Sequence, residues 1–90
     1  MKISYDRRKR DRTLRERGLD FLDAEQVFAD PRMELPDDRI DYGEERYITF
    51  GYLSGRPVAV VWTPRGEGRR IISMRHVHER ELAARTRALG

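Results

Sequence analysis

Residues 46–75 read RYITFGYLSGRPVAVVWTPRGEGRRIISMR: three apolar runs separated by two glycine-bearing turns. The first, over 46–53, alternates, with Ile48, Phe50 and Tyr52 on one face. Ser54-Gly55-Arg56 makes a hairpin turn in which Gly55 is free to take positive φ. The second run, over 57–63, is almost continuously apolar, as a central strand is. Residues 64–68 turn the chain again, and 69–75 form the last strand. Regular alternation there places Arg69, Ile71, Ser73 and Arg75 on one face and Arg70, Ile72 and Met74 on the other.

Outward from this meander, residues 2–5 are expected as a short edge strand. Asp6 is placed to cap a helix over 7–17 that is nearly all charge, with Leu14 as its apolar anchor and Gly18 as its stop. Asp20 caps a second helix over 21–29. Leu19 and Ala24 stand at staple spacing, and Phe21, Ala24, Val27 and Phe28 form an apolar stripe. Asp30-Pro31 ends it. Residues 31–45 read as loop, with room for a short strand around Ile40–Tyr42. A helix over 77–89, with Leu82 and Leu89 one heptad apart, closes the chain. The expected class is α+β in the order β-α-α-β-β-β-α. A helical hairpin packs on a small antiparallel sheet and the helices cover one face. Ninety residues is the length of one domain, 1–90.

Charged residues make up 39% of the chain, with a net charge of +3 and a pI near 9.7. All but Lys2 and Lys9 of the 19 basic residues are arginine, whose planar fork suits phosphate. Residues 1–20 and 46–90 are net basic, and 21–45 are net acidic. Absence of cysteine suits a reducing cytoplasm. The N-terminus carries basic residues with no apolar stretch behind them, so it does not read as a signal peptide. There is no glycine-rich phosphate loop, nucleophile elbow, HExxH or clustered aspartate set.

The chemistry-bearing candidates lie around the last strand. Arg65, Arg70 and Arg75 are candidate phosphate contacts, and Arg46, Arg69 and Trp62 candidate contacts to the rest of a nucleotide. Glu45, His76 and His78 are candidates for acid–base work. His76 and His78 would share a face on a strand, but no third ligand is fixed, and neither metal nor other cofactor is expected. Solvated strand ends, surface ion pairs and a core tryptophan are the plain alternatives for the same residues.

The stretches RGLDFLDAEQVFADP, GEERYITFGYLSGRPVAVVWTPRG and RRIISMR, over roughly residues 3–81, resemble the BrnT family of bacterial toxins. The resemblance implies a RelE/ParE-like fold, metal-independent endoribonuclease activity that arrests translation, and growth arrest. It also implies a BrnA-like ribbon-helix-helix antitoxin as partner, two copies with two toxins. RNA would be the substrate, and operator DNA would be reached only through the antitoxin. Two departures stand out: Glu16-Arg17-Gly18 replaces the family's Lys-His-Gly, and His76 follows Arg75 where Lys or Arg is usual. An inactive co-repressor scaffold and a gyrase-directed toxin remain alternative functions. The antitoxin would meet either the acidic stretch from Glu34 to Glu45 or the basic sheet face.

Overall fold

The computed structural model describes residues 2–89, with side chains described through residue 87. The side chain of Leu89, expected as an anchor, therefore lies outside the described residues. The meander forms as three strands: β3 (Tyr47–Leu53), β4 (Arg56–Arg65) and β5 (Gly68–His76). Ser54 and Gly55 both take positive φ, 52° and 78°, which is the type I′ geometry that matches strand twist.

Two further strands complete the sheet. β1 (Ile3–Tyr5) pairs in parallel with β5, and β2 (Met33–Pro36) pairs antiparallel with β3. The order is β1-β5-β4-β3-β2, so the sheet is mixed rather than antiparallel. A Cβ at Gly68 would sit 2.6 Å from the Lys2 carbonyl oxygen, so only glycine there lets the chain before β1 close on β5. β2 corrects the expectation of a loop. Met33 and Leu35 alternate onto an apolar patch, and Pro36 is tolerated because the strand is an edge. No strand forms over Ile40–Tyr42.

α1 (Arg7–Arg17) begins at Asp6, whose Oδ1 accepts the Lys9 N–H at 3.1 Å, and ends at Gly18 with φ 70°. None of its residues is buried, and Leu14 is exposed. Guanidinium forks hold the helix instead. Arg10 donates to both oxygens of Asp20 at 2.9 and 2.8 Å, and Arg17 donates to the Met74 carbonyl at 2.7 Å. A 3-10 turn (Phe21–Asp23), capped by Asp20, leads into α2 (Ala24–Ala29). These segments bury Leu19, Phe21, Ala24 and Val27 against Val58, Val60, Trp62, Ile71 and Met74. α3 (Glu79–Leu89) crosses the opposite face, where Val77 and Leu82 join Met33, Ile48, Phe50 and Ala59. The helices thus cover both faces, not one. Among the described residues no helix is long and apolar enough to cross a membrane.

β5 is not regular. Trp62 lies opposite Ile71 and Val61 opposite Ser73, so Ile72 is an extra residue in a bulge. The bulge reverses the alternation beyond it. Arg69, Ile71, Met74 and His76 turn to the α1–α2 side, and Arg70, Ser73 and Arg75 turn to the α3 side. The expected grouping of Arg69 with Arg75 is therefore wrong, because one inserted residue exchanges the faces.

Candidate nucleic-acid interface

The α3 side of the sheet has two halves. Toward β2 and β3 it is apolar and covered. Toward β1 it is polar, and the upper ends of β4 and β5 are left open. Arg70 lies opposite Thr63 on β4 and beside Ser4 on β1. Among the described residues it has no carboxylate within ion-pair distance, and it acts through space on the Asp6 cap, whose carboxyl is held below its ordinary value chiefly by the Lys9 N–H. Arg65, two positions beyond Thr63 on the same face of β4, shares an open hollow with Lys2, Ser4 and Glu67. Its Nη2 reaches Glu44 only at 3.4 Å and its side chain is half exposed.

Arg75 shares this face but stands four β4 positions away from Arg70, about 13 Å at strand rise. Both terminal nitrogens donate to Glu81 on α3, at 3.2 and 3.3 Å. That pairing is the main reason the Glu81 carboxyl is held below its ordinary value, and His78 contributes a smaller share. His78 is exposed at the entry to α3, where its carbonyl accepts the Leu82 N–H. Arg46 donates to Glu44 at 3.1 Å and lies 4.0 Å over the Tyr42 ring. Arg46 first and Arg65 second keep the Glu44 carboxyl low. Glu44 thus bridges two arginines.

The remaining candidates lie elsewhere. The Glu45 carboxylate accepts the Tyr47 hydroxyl at 3.3 Å and raises its pKa, standing outside the arginine group that Glu44 joins. Trp62 is buried, stacked on Tyr47 at 5.1 Å, with its indole N–H donated to Thr49 at 2.8 Å. No ring face is open to a base. Arg69 lies on that same side, over Phe28 and Trp62. His76 is half-buried opposite Val58, its Nδ1 buried without a partner. Arg17 ends on the Met74 carbonyl, two residues before His76.

The structure therefore places Arg65 and Arg70 side by side, with Arg46 joined through Glu44, and puts Arg75 and His78 on the same side of the sheet but at the other end of β5, beside Glu81. It separates Arg69, Trp62, His76 and Glu45 from them. Lys2 and Ser4 were missed because nothing in KISY announces parallel pairing with a strand more than sixty residues away. Much of the acidic stretch is already matched internally: Asp37 binds Arg39, and Glu34 accepts the Thr49 hydroxyl.

A family model for BrnT, the ribonuclease toxin of type II toxin–antitoxin systems, matches residues 5–81. The chain belongs to the BrnT family. A comparison with curated proteins found no match. BrnT membership makes the chain a ribonuclease toxin of a type II system, and such a system implies a protein antitoxin as partner. The matched span runs from the end of β1 through β5 and stops in the first turn of α3, so it contains the arginines of the sheet face.

Proposed function

We propose that this BrnT chain, acting as one toxin domain over residues 1–90 with a RelE-like arrangement, is a metal-independent endoribonuclease of the cytoplasm. It arrests translation and is neutralised by a BrnA-like ribbon-helix-helix antitoxin. The observation that carries the nuclease reading is Arg70: a half-buried guanidinium without a carboxylate, flanked by Arg65, Lys2 and Ser4 on the open half of the sheet.

A phosphodiester laid on this half-face meets Arg65 and Arg70 directly. Arg75, farther along the same face, meets another phosphate of the strand when it leaves Glu81. In the reaction a base removes the ribose 2′-hydroxyl proton and the freed oxygen attacks the adjacent phosphorus. The arginines stabilise the charge that accumulates on the phosphorane. The P–O5′ bond then breaks, and an acid returns a proton to the departing 5′-oxygen. The products are a 2′,3′-cyclic phosphate and a 5′-hydroxyl. Neither histidine stands beside Arg65 and Arg70: His78 lies on the Arg75 side and His76 turns to the other face, so the groups that move the two protons are left unassigned.

The test is cleavage of total RNA by purified protein with and without EDTA, wild type against Arg70→Met. Cleavage that survives EDTA and falls by about a hundredfold or more in the variant is expected. Unaltered cleavage by Arg70→Met overturns the assignment. One observation favours the co-repressor scaffold as a second reading: Arg17 replaces the family histidine and its guanidinium is occupied by a backbone carbonyl. Wild-type protein that leaves RNA intact while forming a stable complex with antitoxin supports that reading.

A further inference from the structure

Arg69, like Arg70, is a half-buried arginine whose fork has no acceptor, and so differs from Arg10, Arg17 and Arg46. Arg10 ends on Asp20, Arg17 on the Met74 carbonyl and Arg46 on Glu44. The Arg69 guanidinium ends on no oxygen among the described residues. Its carbon lies 4.1 Å from the centre of the Phe28 ring and 4.7 Å from that of Trp62. The two rings meet edge-on at 5.8 Å. Its Nε is buried without an acceptor. Ring faces compensate a cation only in part, and a partly desolvated guanidinium with an unfilled fork is an uncompensated cost in the free protein. The side chain is held in place by the rings and keeps its terminal nitrogens for something else.

The surroundings say what that is. Arg69 lines two adjoining hollows beside α2. Ile3, Phe28, Ala29 and Pro31 supply apolar walls, and Glu25, Glu34 and Arg32, itself paired with Asp30, stand at the borders. An RNA strand carries a negative charge at every nucleotide and would bring several against those glutamates. A single carboxylate between apolar side chains would reach the guanidinium without that repulsion and cover the apolar walls as well.

We propose that this pocket is a carboxylate-binding anchor for the protein antitoxin, taking one Asp or Glu side chain flanked by apolar residues. The proposal deepens the antitoxin reading by naming a surface and a chemistry. It places the anchor on the sheet face opposite Arg70, so the antitoxin grips the toxin independently of the phosphate-binding arginines. A bidentate, charge-assisted contact in a partly desolvated site also suits Arg far better than Lys.

The experiment measures the affinity of purified toxin for its purified antitoxin by calorimetry, alongside RNA cleavage. Arg69→Met keeps the stacked chain and removes the fork. Its antitoxin Kd is expected to rise by at least about tenfold with cleavage unchanged. Arg69→Lys, which keeps the charge, is expected to weaken binding in the same direction and serves if the methionine variant fails to fold. Arg70→Met is expected to bind antitoxin as wild type does. An antitoxin Kd within twofold of wild type in the folded Arg69 variants overturns the proposal. So does a loss of RNA binding with antitoxin affinity unchanged, which would make Arg69 an RNA contact. Should Arg70→Met cleave normally, the nuclease assignment falls while the Arg69 measurement stands on its own.

Discussion

The two faces of the sheet have been put to different uses. On the α1–α2 side, the residues from Leu19 to Val27 seal Val58, Val60, Trp62, Ile71 and Met74 into a dry core. On the other side a single helix covers only the half built on β2 and β3, and the half built on β1 and the ends of β4 and β5 carries arginine and serine in the open. Burial of apolar area is the main favourable contribution to folding. A chain of this size that concentrates burial on one face can leave part of the other to bind a ligand. The candidate site lies where the covering of the second face stops.

The inequality of the two cores can be broken directly. Phe21 is fully buried on the α1–α2 side, and Phe21→Ala is expected to cost about 3–5 kcal/mol of global stability in urea unfolding. Leu82 is the residue by which α3 enters the smaller core. Leu82→Ala is expected near the low end of its class, about 2 kcal/mol. It should appear as faster amide exchange over 79–87 with β3, β4 and β5 still protected. Equal and global losses from both substitutions would mean that the two faces unfold as one, and the contrast would fail.

Most of the first face was legible in the sequence. The Phe21, Ala24, Val27 stripe, the Asp6 and Asp20 caps, and the glycine turns at 54–56 and 64–68 all act locally, and local chemistry is what a linear reading sees. The second face was less legible because its features are nonlocal. Ile72 is apolar like its neighbours, so nothing in IISM marks one of them as extra, yet that residue decides which arginines stand together. β2 hides among Pro and Asp because an edge strand of four residues draws its definition from β3. α3 presents only Leu82 as a buried apolar residue among those described, too little to announce that it crosses the far face. Lys2 and Ser4 enter the candidate site only through pairing with β5. Arg65 and Arg70 stand two β4 positions apart on one face, while Arg75 lies on that face but farther along the strand, and the alternation from which Arg69 was grouped with Arg75 does not hold.

A smaller effect sharpens the comparison on the α1–α2 side itself. α1 contributes no buried residue to that core, so its attachment is ionic where that of α2 is apolar. Asp20 has its carboxyl held below its ordinary value near 3.8, chiefly by the fork of Arg10, with the Leu22 N–H assisting. A carboxyl depressed in the folded state adds stability that is fully present above the unfolded value and is lost as pH falls through the folded one. Wild-type protein should therefore lose stability below about pH 4. Asp20→Asn retains an N-cap but not the charge pair. It should be less stable than wild type at pH 7, with the gap narrowing as the pH falls below about 4 in thermal unfolding. A difference that persists unchanged at pH 3 would assign the role of Asp20 to capping alone.

The smallest expected effect on stability tests the boundary between the two halves of the open face. Arg75 lies at that boundary, with its guanidinium held by Glu81 of α3 while the side chain remains 44% exposed. An ion pair this open to water contributes less than about 1 kcal/mol, so Glu81→Gln should leave the unfolding midpoint almost unmoved. Its effect on RNA should be plainer. With the counter-carboxylate neutralised, Arg75 becomes available to a phosphate and no carboxylate remains to repel the strand. One added phosphate contact to single-stranded RNA steepens the dependence of log K on log salt by about 0.7. Binding isotherms of Glu81→Gln and wild type across a salt series would read this directly. The steeper slope makes α3 a competitor for one of the phosphate-binding arginines, so the covered half of the face regulates the open half through a single carboxylate. Parallel slopes would instead leave Arg75 as a strut between sheet and helix, and the phosphate surface would end at Arg65 and Arg70.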